Sequence, residues 1–176
     1  AARKVLRRPF SAPRFSRIME IYRIPRREVT VRVLVDDGRT LDGTLFTAET
    51  GAAGRPEDVL AHLNEPGEDF VPLLCGTDSV LVNKAGIIWV QLTGPAATEL
   101  ADQSESGQRV PVRLSLAGGL SVAGTMLIVM PLERSRLVDY LNASGRFLPL
   151  FGEESVTLVQ RRFVVAVRSG EGTGRV

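Results

Sequence analysis

The sequence predicts a mainly β protein made of two tandem copies of a small five-stranded, barrel-like β-β-α-β-β-β unit. Three observations carry this. Val29, Val31, Val33 and Val35 alternate with Thr30, Arg32 and Leu34, the period of two that marks a strand with one apolar face. Val110, Val112, Leu114 and Leu116 repeat that stretch later in the chain. The motifs L-N-x-x-G and F-x-P-L then follow in the same order in both halves, at Asn64, Gly67 and Phe70 and again at Asn142, Gly145 and Phe147. Alternating valines alone would not reproduce both motifs in order, so the chain reads as a duplication.

Each element has a local reason. Asp36-Asp37-Gly38 turns the first hairpin, with Gly38 suited to positive φ. Gly43 and its counterpart Gly124 lie in mid-strand, where a bulge or a close backbone approach is expected. Pro56, followed by Glu57 and Asp58, opens a short helix with apolar Val59, Leu60 and Leu63. Three short strands follow, at Phe70–Cys75, Ser79–Asn83 and Ile87–Leu92. The second copy places Gly119 opposite Gly38 and a helix after Pro131 with Leu137, Val138 and Leu141. It also sets Ser155 against Ser79 and Phe163 against Ile87. These features divide the chain into residues 1–27 (an arm), 28–92 (first copy), 93–108 (a polar, turn-rich linker), 109–168 (second copy) and 169–176 (a tail).

Sheets this small are expected to curl into partly closed barrels rather than leave both edges open. Each alone would bury little, so the copies are expected to pack together about a pseudo-twofold axis. Strand two of the second copy, apolar on both faces near Leu127, Val129 and Met130, is expected to be covered on both sides, as are the exposed-looking Leu34 and Phe46.

The hairpin Val33-Leu34-Val35-Asp36-Asp37-Gly38-Arg39 with Gly43, and the later Asn83-Lys84-Ala85-Gly86, resemble the early and late parts of Sm-like and SH3-like small barrels. The repeats also resemble a family of bacterial proteins of uncharacterised function. The resemblance implies a small-barrel fold. The residues after Gly43 and Gly124 are Thr, Leu, Phe and Thr, Met, Leu, without the Asp and Asn that contact bases in the Sm family.

The chain is charge-polarised. Residues 1–27 hold nine Arg or Lys and one Glu, about +8, while the remainder holds thirteen basic and nineteen acidic residues, about −6. An arm of this kind docks on a partner, packs on its own body, or serves as a leader. The docking reading assigns partner contacts to Arg3, Lys4, Arg7, Arg8, Phe10, Arg14, Phe15, Arg17, Arg23, Arg26 and Arg27. A second basic face, for nucleic acid or a partner, is expected from Arg32, Arg113, Arg161 and Arg162.

Little points to catalysis. The one histidine, His62, is matched by Tyr140 in the second copy, which suits a helix flank better than a general base. Cys75 ends an apolar strand and reads as an inert thiol. Asp36, Asp37 and Asp42 read as turn formers. No phosphate loop, metal cluster or nucleophile–base pair is visible, so no enzyme, cofactor or metal is expected. The longest apolar run is too short to cross a bilayer. The expected function is a non-catalytic structural or adaptor subunit of a larger assembly, anchored by the basic arm. Its expected place is the cytoplasm, or peripherally the cytoplasmic side of a membrane complex. RNA binding through the arm and basic face, and a small-molecule sensor with its ligand between the copies, are the rival expectations.

Overall fold

The computed structural model describes residues 26–49, 58–103, 107–131 and 136–170. The strands are β1 (Arg26–Val35), β2 (Thr40–Ala48), β3 (Phe70–Cys75), β4 (Asp78–Asn83), β5 (Ile87–Thr93), β6 (Gln108–Leu116), β7 (Ser121–Ile128), β8 (Phe147–Phe151), β9 (Ser155–Gln160) and β10 (Val164–Ser169). The helices are α1 (Val59–Asn64), α2 (Pro95–Asp102) and α3 (Leu137–Ala143). All strands join one antiparallel sheet, in the order β10-β6-β7-β8-β9-β5-β1-β2-β3-β4.

This corrects the barrel expectation, and with it the Sm-like and SH3-like resemblance. The ten strands form one open sheet: β4 and β10 stand at its two ends and do not pair. The pseudo-twofold packing is overturned as well. A twofold axis would exchange β5 with β10 and β9 with β4, so the β5–β9 ladder would need a β10–β4 ladder beside it. Instead the halves join head to tail, through β5 of the first and β9 of the second. The physical reason is that the edge problem is met in another way. Each half lends one edge to the other, which covers two of four edges without closing either half.

Inside each half the strand order is the same, 5-1-2-3-4 in the first and 10-6-7-8-9 in the second. Registers agree in detail. Phe70 lies opposite Asn83 as Phe147 lies opposite Gln160. Val35 pairs with Ile87 across a bulge as Leu116 pairs with Val164 across a bulge. The structure therefore sets Asp78 against Ser155 and Ile87 against Val164, one residue away from the matches the sequence suggests.

The alternating valines face inward: Val29, Val31, Val33 and Val35 are buried, as are Val112, Leu114 and Leu116. Gly43 and Gly124 allow close approach of neighbouring strands. A Cβ at Gly43 would lie 2.7 Å from the Leu74 carbonyl oxygen, and one at Gly124 2.7 Å from Leu150 Cγ. Asp58 caps α1 by accepting a hydrogen bond from the Ala61 amide at 2.6 Å. β7 is covered on both faces at its end, where Met126, Leu127 and Ile128 are all buried, but Val129 beyond it is 62% exposed. The stretch read as a linker holds α2, which buries Ala97 and Leu100.

The core crosses between the halves. Phe147, Val156 and Leu158 of the second half sit in the cluster built on β1–β5. Ile88 of the first half sits in the cluster built on β6–β10.

Candidate functional site

Two regions offer themselves: the internal β5–β9 junction and the two outer edges. The junction pairs Trp89 with Val159, Val90 with Leu158, Gln91 with Thr157 and Leu92 with Val156. Asn64, at the end of α1, reaches across to the second half. Its Oδ1 accepts from the Phe147 amide at 2.8 Å and its Nδ2 donates to the Phe147 carbonyl at 3.4 Å. Gly145 fits beside it, since a Cβ there would stand 2.8 Å from Asn64 Oδ1. Gln160 is fully buried and donates from Nε2 to the Lys84 carbonyl. Lys84, also buried, donates from Nζ to the His62 carbonyl at 2.8 Å, and so holds the C-terminal end of α1. Asp69 and Arg146 form an ion pair across the junction at 3.8 Å.

Beside the junction lies an open cavity of about 840 Å³. Gln91, Thr93 and Thr98 line it from the first half and α2, and Arg109, Phe151 and Glu153 from the second.

Those of the expected basic residues that the structure describes lie on several elements. The positions from Arg3 to Arg23 lie outside the described residues. Arg26 and Arg27 open β1, and Arg27 is held by Glu99 of α2 in a two-pronged ion pair, one prong at 2.8 Å. Arg32 bonds Asp42 across the β1–β2 ladder at 2.7 Å, a contact that raises its pKa further. Arg161 donates to the Leu141, Asn142 and Ser144 carbonyls and so caps α3. Arg162 stacks on Phe163 with 4.8 Å to the ring centre. Arg113 is exposed and lies opposite Arg168. Four strands separate β1, with Arg32, from β6, with Arg113. Arg32 thus stands apart from Arg113, while Arg113 faces Arg168 across the β6–β10 ladder and Arg161 and Arg162 line one open pocket with Arg146.

His62 lies half-buried on α1, and Cys75 is a half-buried free thiol. Asp37 serves the turn. Its carboxylate is held below its usual pKa by the Arg39 amide first and then by the Arg39 side chain. Among the described residues no group of His, Cys, Asp or Glu is placed to hold a metal ion. No helix among them is long and apolar enough to cross a membrane.

The outer edges carry residues that sequence reasoning did not single out as a site. Phe70 is 55% exposed, Leu81 on β4 69% and Val165 on β10 72%. Neither β4 nor β10 has a proline, and each has a single charged residue, Asp78 and Arg168. Beyond those two charges and the register shift between Val164 and Ala166 of β10, neither edge carries the usual guards. The repeated F-x-P-L motif was the available signal, because it places two phenylalanines at matched positions where one junction can bury only one of them.

Comparison with protein-family models, with curated proteins and with solved structures finds no match to this chain.

Proposed function

We propose that the protein is a non-catalytic structural or adaptor subunit that joins a larger protein assembly through the free edges of its sheet, with the basic residues of its N-terminal region as a second anchor. One observation carries the reading: two unpaired strand edges, at opposite ends of one sheet, bear large exposed apolar side chains and little charge. Strand addition to such an edge supplies main-chain hydrogen bonds and seats alternate side chains. The positive charge of residues 1–27 favours an acidic surface on the assembly, including a membrane complex with acidic head groups.

The test is affinity capture with the full chain and with a chain beginning at Glu28, each with and without nuclease. Captured proteins are then purified and rebound. A partner that survives nuclease and rebinds as pure protein supports the reading. Loss of all partners on nuclease treatment alone overturns it in favour of RNA binding.

A second reading rests on the cavity lined by both halves. A small ligand there would bridge Arg109 of the second half and Thr98 of α2. Ligand-induced thermal stabilisation that disappears in Arg109→Ala would support it.

A further inference from the structure

We propose that the partner at the free edges is a second copy of this chain, with β10 of one copy pairing with β4 of the next and repeating the internal β5–β9 junction. This rests on the edge-docking reading above and names its occupant.

The argument comes from matched positions. The two halves share strand order and register, so every residue at the internal junction has a counterpart at an outer edge. Phe147, Leu158 and Ile88 are 1%, 0% and 6% exposed. Their counterparts are Phe70, Leu81 and Val165, at 55%, 69% and 72%. Half of the large exposed apolar residues of the described chain are therefore the very positions that the internal junction buries. Burying them the same way asks for one local adjustment, because the loop from Asn64 to Phe70 is one residue longer than that from Asn142 to Phe147, and Glu68 stands two residues before Phe70 where Gly145 stands before Phe147.

Polar contacts transfer too. Asn64 is half-buried on Phe147, while its counterpart Asn142 is exposed and so is Phe70. In the copy–copy junction Asn142 meets the Phe70 backbone. Arg146 of one copy would also face Asp69 of the next, since the two residues hold matched positions, so opposite charges meet there although each already has its partner within its own copy. The transferred ladder sets Ala166 opposite Val82, Val167 opposite Leu81, Arg168 opposite Val80 and Ser169 opposite Ser79.

The interface is heterologous, since β4 and β10 differ. It leaves a free edge on each end of every open oligomer and so builds a ring if the rotation closes, or a filament if it does not. Ser79 and Ser169 stand where the internal junction has Val156 and Leu92. The copy–copy contact is therefore weaker than the internal one, and association is reversible and concentration-dependent.

The experiment uses the full chain. Sedimentation velocity over a concentration series is expected to show growth beyond the monomer. Leu81→Lys and Val165→Lys are each expected to weaken it at least about tenfold, with circular dichroism unchanged, while Leu120→Lys at the far hairpin leaves it intact. A Ser79→Cys, Ser169→Cys, Cys75→Ser triple variant is expected to form disulfides between copies on mild oxidation, giving a ladder of covalent multimers. A full chain that stays monomeric throughout overturns the proposal. So does a disulfide formed only within one chain, or association that ignores both lysine variants. If the chain is monomeric yet a purified foreign protein binds and is lost in Leu81→Lys, the edge-docking reading stands and only the identity of its occupant falls.

Discussion

Asn64 and Asn142 hold matched places near the ends of α1 and α3, but Asn64 bonds the Phe147 backbone while Asn142 is exposed. Replacing Asn64 with alanine removes the 2.8 Å acceptor from the Phe147 amide and the longer 3.4 Å donor to its carbonyl. A typical net hydrogen bond contributes about 1 kcal/mol, and a buried amide left without an acceptor costs about 1–3 kcal/mol. Phe147 is 1% exposed, so water reaches its amide poorly. Together these give about 2 kcal/mol, or a fall in Tm of roughly 4–8 °C for a chain of this size. Asn142→Ala, measured where the protein is monomeric, removes an exposed side chain and is expected to stay within about 0.5 kcal/mol. Urea unfolding of both variants, at low protein concentration, decides the matter. Equal losses would mean that Asn64 acts only through its own helix, and the reasoning about the junction would fail.

Leu158→Ala is expected to cost about 2–5 kcal/mol, as for a fully buried leucine, while Leu81→Ala at the matched outer position changes monomer stability by less than about 0.5 kcal/mol; thermal melts compare them directly. Gly124→Ala forces a Cβ to 2.7 Å from Leu150 Cγ and 2.9 Å from the Phe151 carbonyl oxygen. It should destabilise by about 1–3 kcal/mol or more, with Gly43→Ala behaving alike. Burial pushes the Tyr140 phenol above its ordinary value, and the Ser144 hydroxyl partly opposes this. A folded pKa above the unfolded one means that the associated stability is fully present below about pH 10 and is lost as pH rises through the folded value. Phenolate absorbance should show one tyrosine titrating late, and Tyr140→Phe should remove that transition.

Much of the fold could be read from local pattern. The valine alternation of β1, the glycine turns, the two short helices and the close approach at Gly43 and Gly124 are each signalled by neighbouring residues. Two features were not legible, and for a common reason. The β5–β9 ladder joins residues distant in sequence, and a strand carries no local mark of which edge will meet which. The barrel expectation followed from that gap. α2 was hidden because Gly94-Pro95 reads as a turn and its apolar face amounts to little more than Ala97 and Leu100. The one-residue slip between Ser79 and Ser155 arose because small Ser-Val pairs match by composition, while register depends on pairing with β3 and β8. Of the candidate site, the basic residues were visible, but their use was not. Arg27, Arg32 and Arg161 are committed to Glu99, Asp42 and the end of α3.

The exchange of side chains across the junction also governs how the molecule comes apart. Phe147, Val156 and Leu158 complete one hydrophobic cluster and Ile88 the other, so neither half retains an intact interior once its neighbour melts. Despite its repeated plan the chain should unfold in a single cooperative step. Fragments cut between α2 and β6 should be poorly ordered apart and regain structure only when mixed.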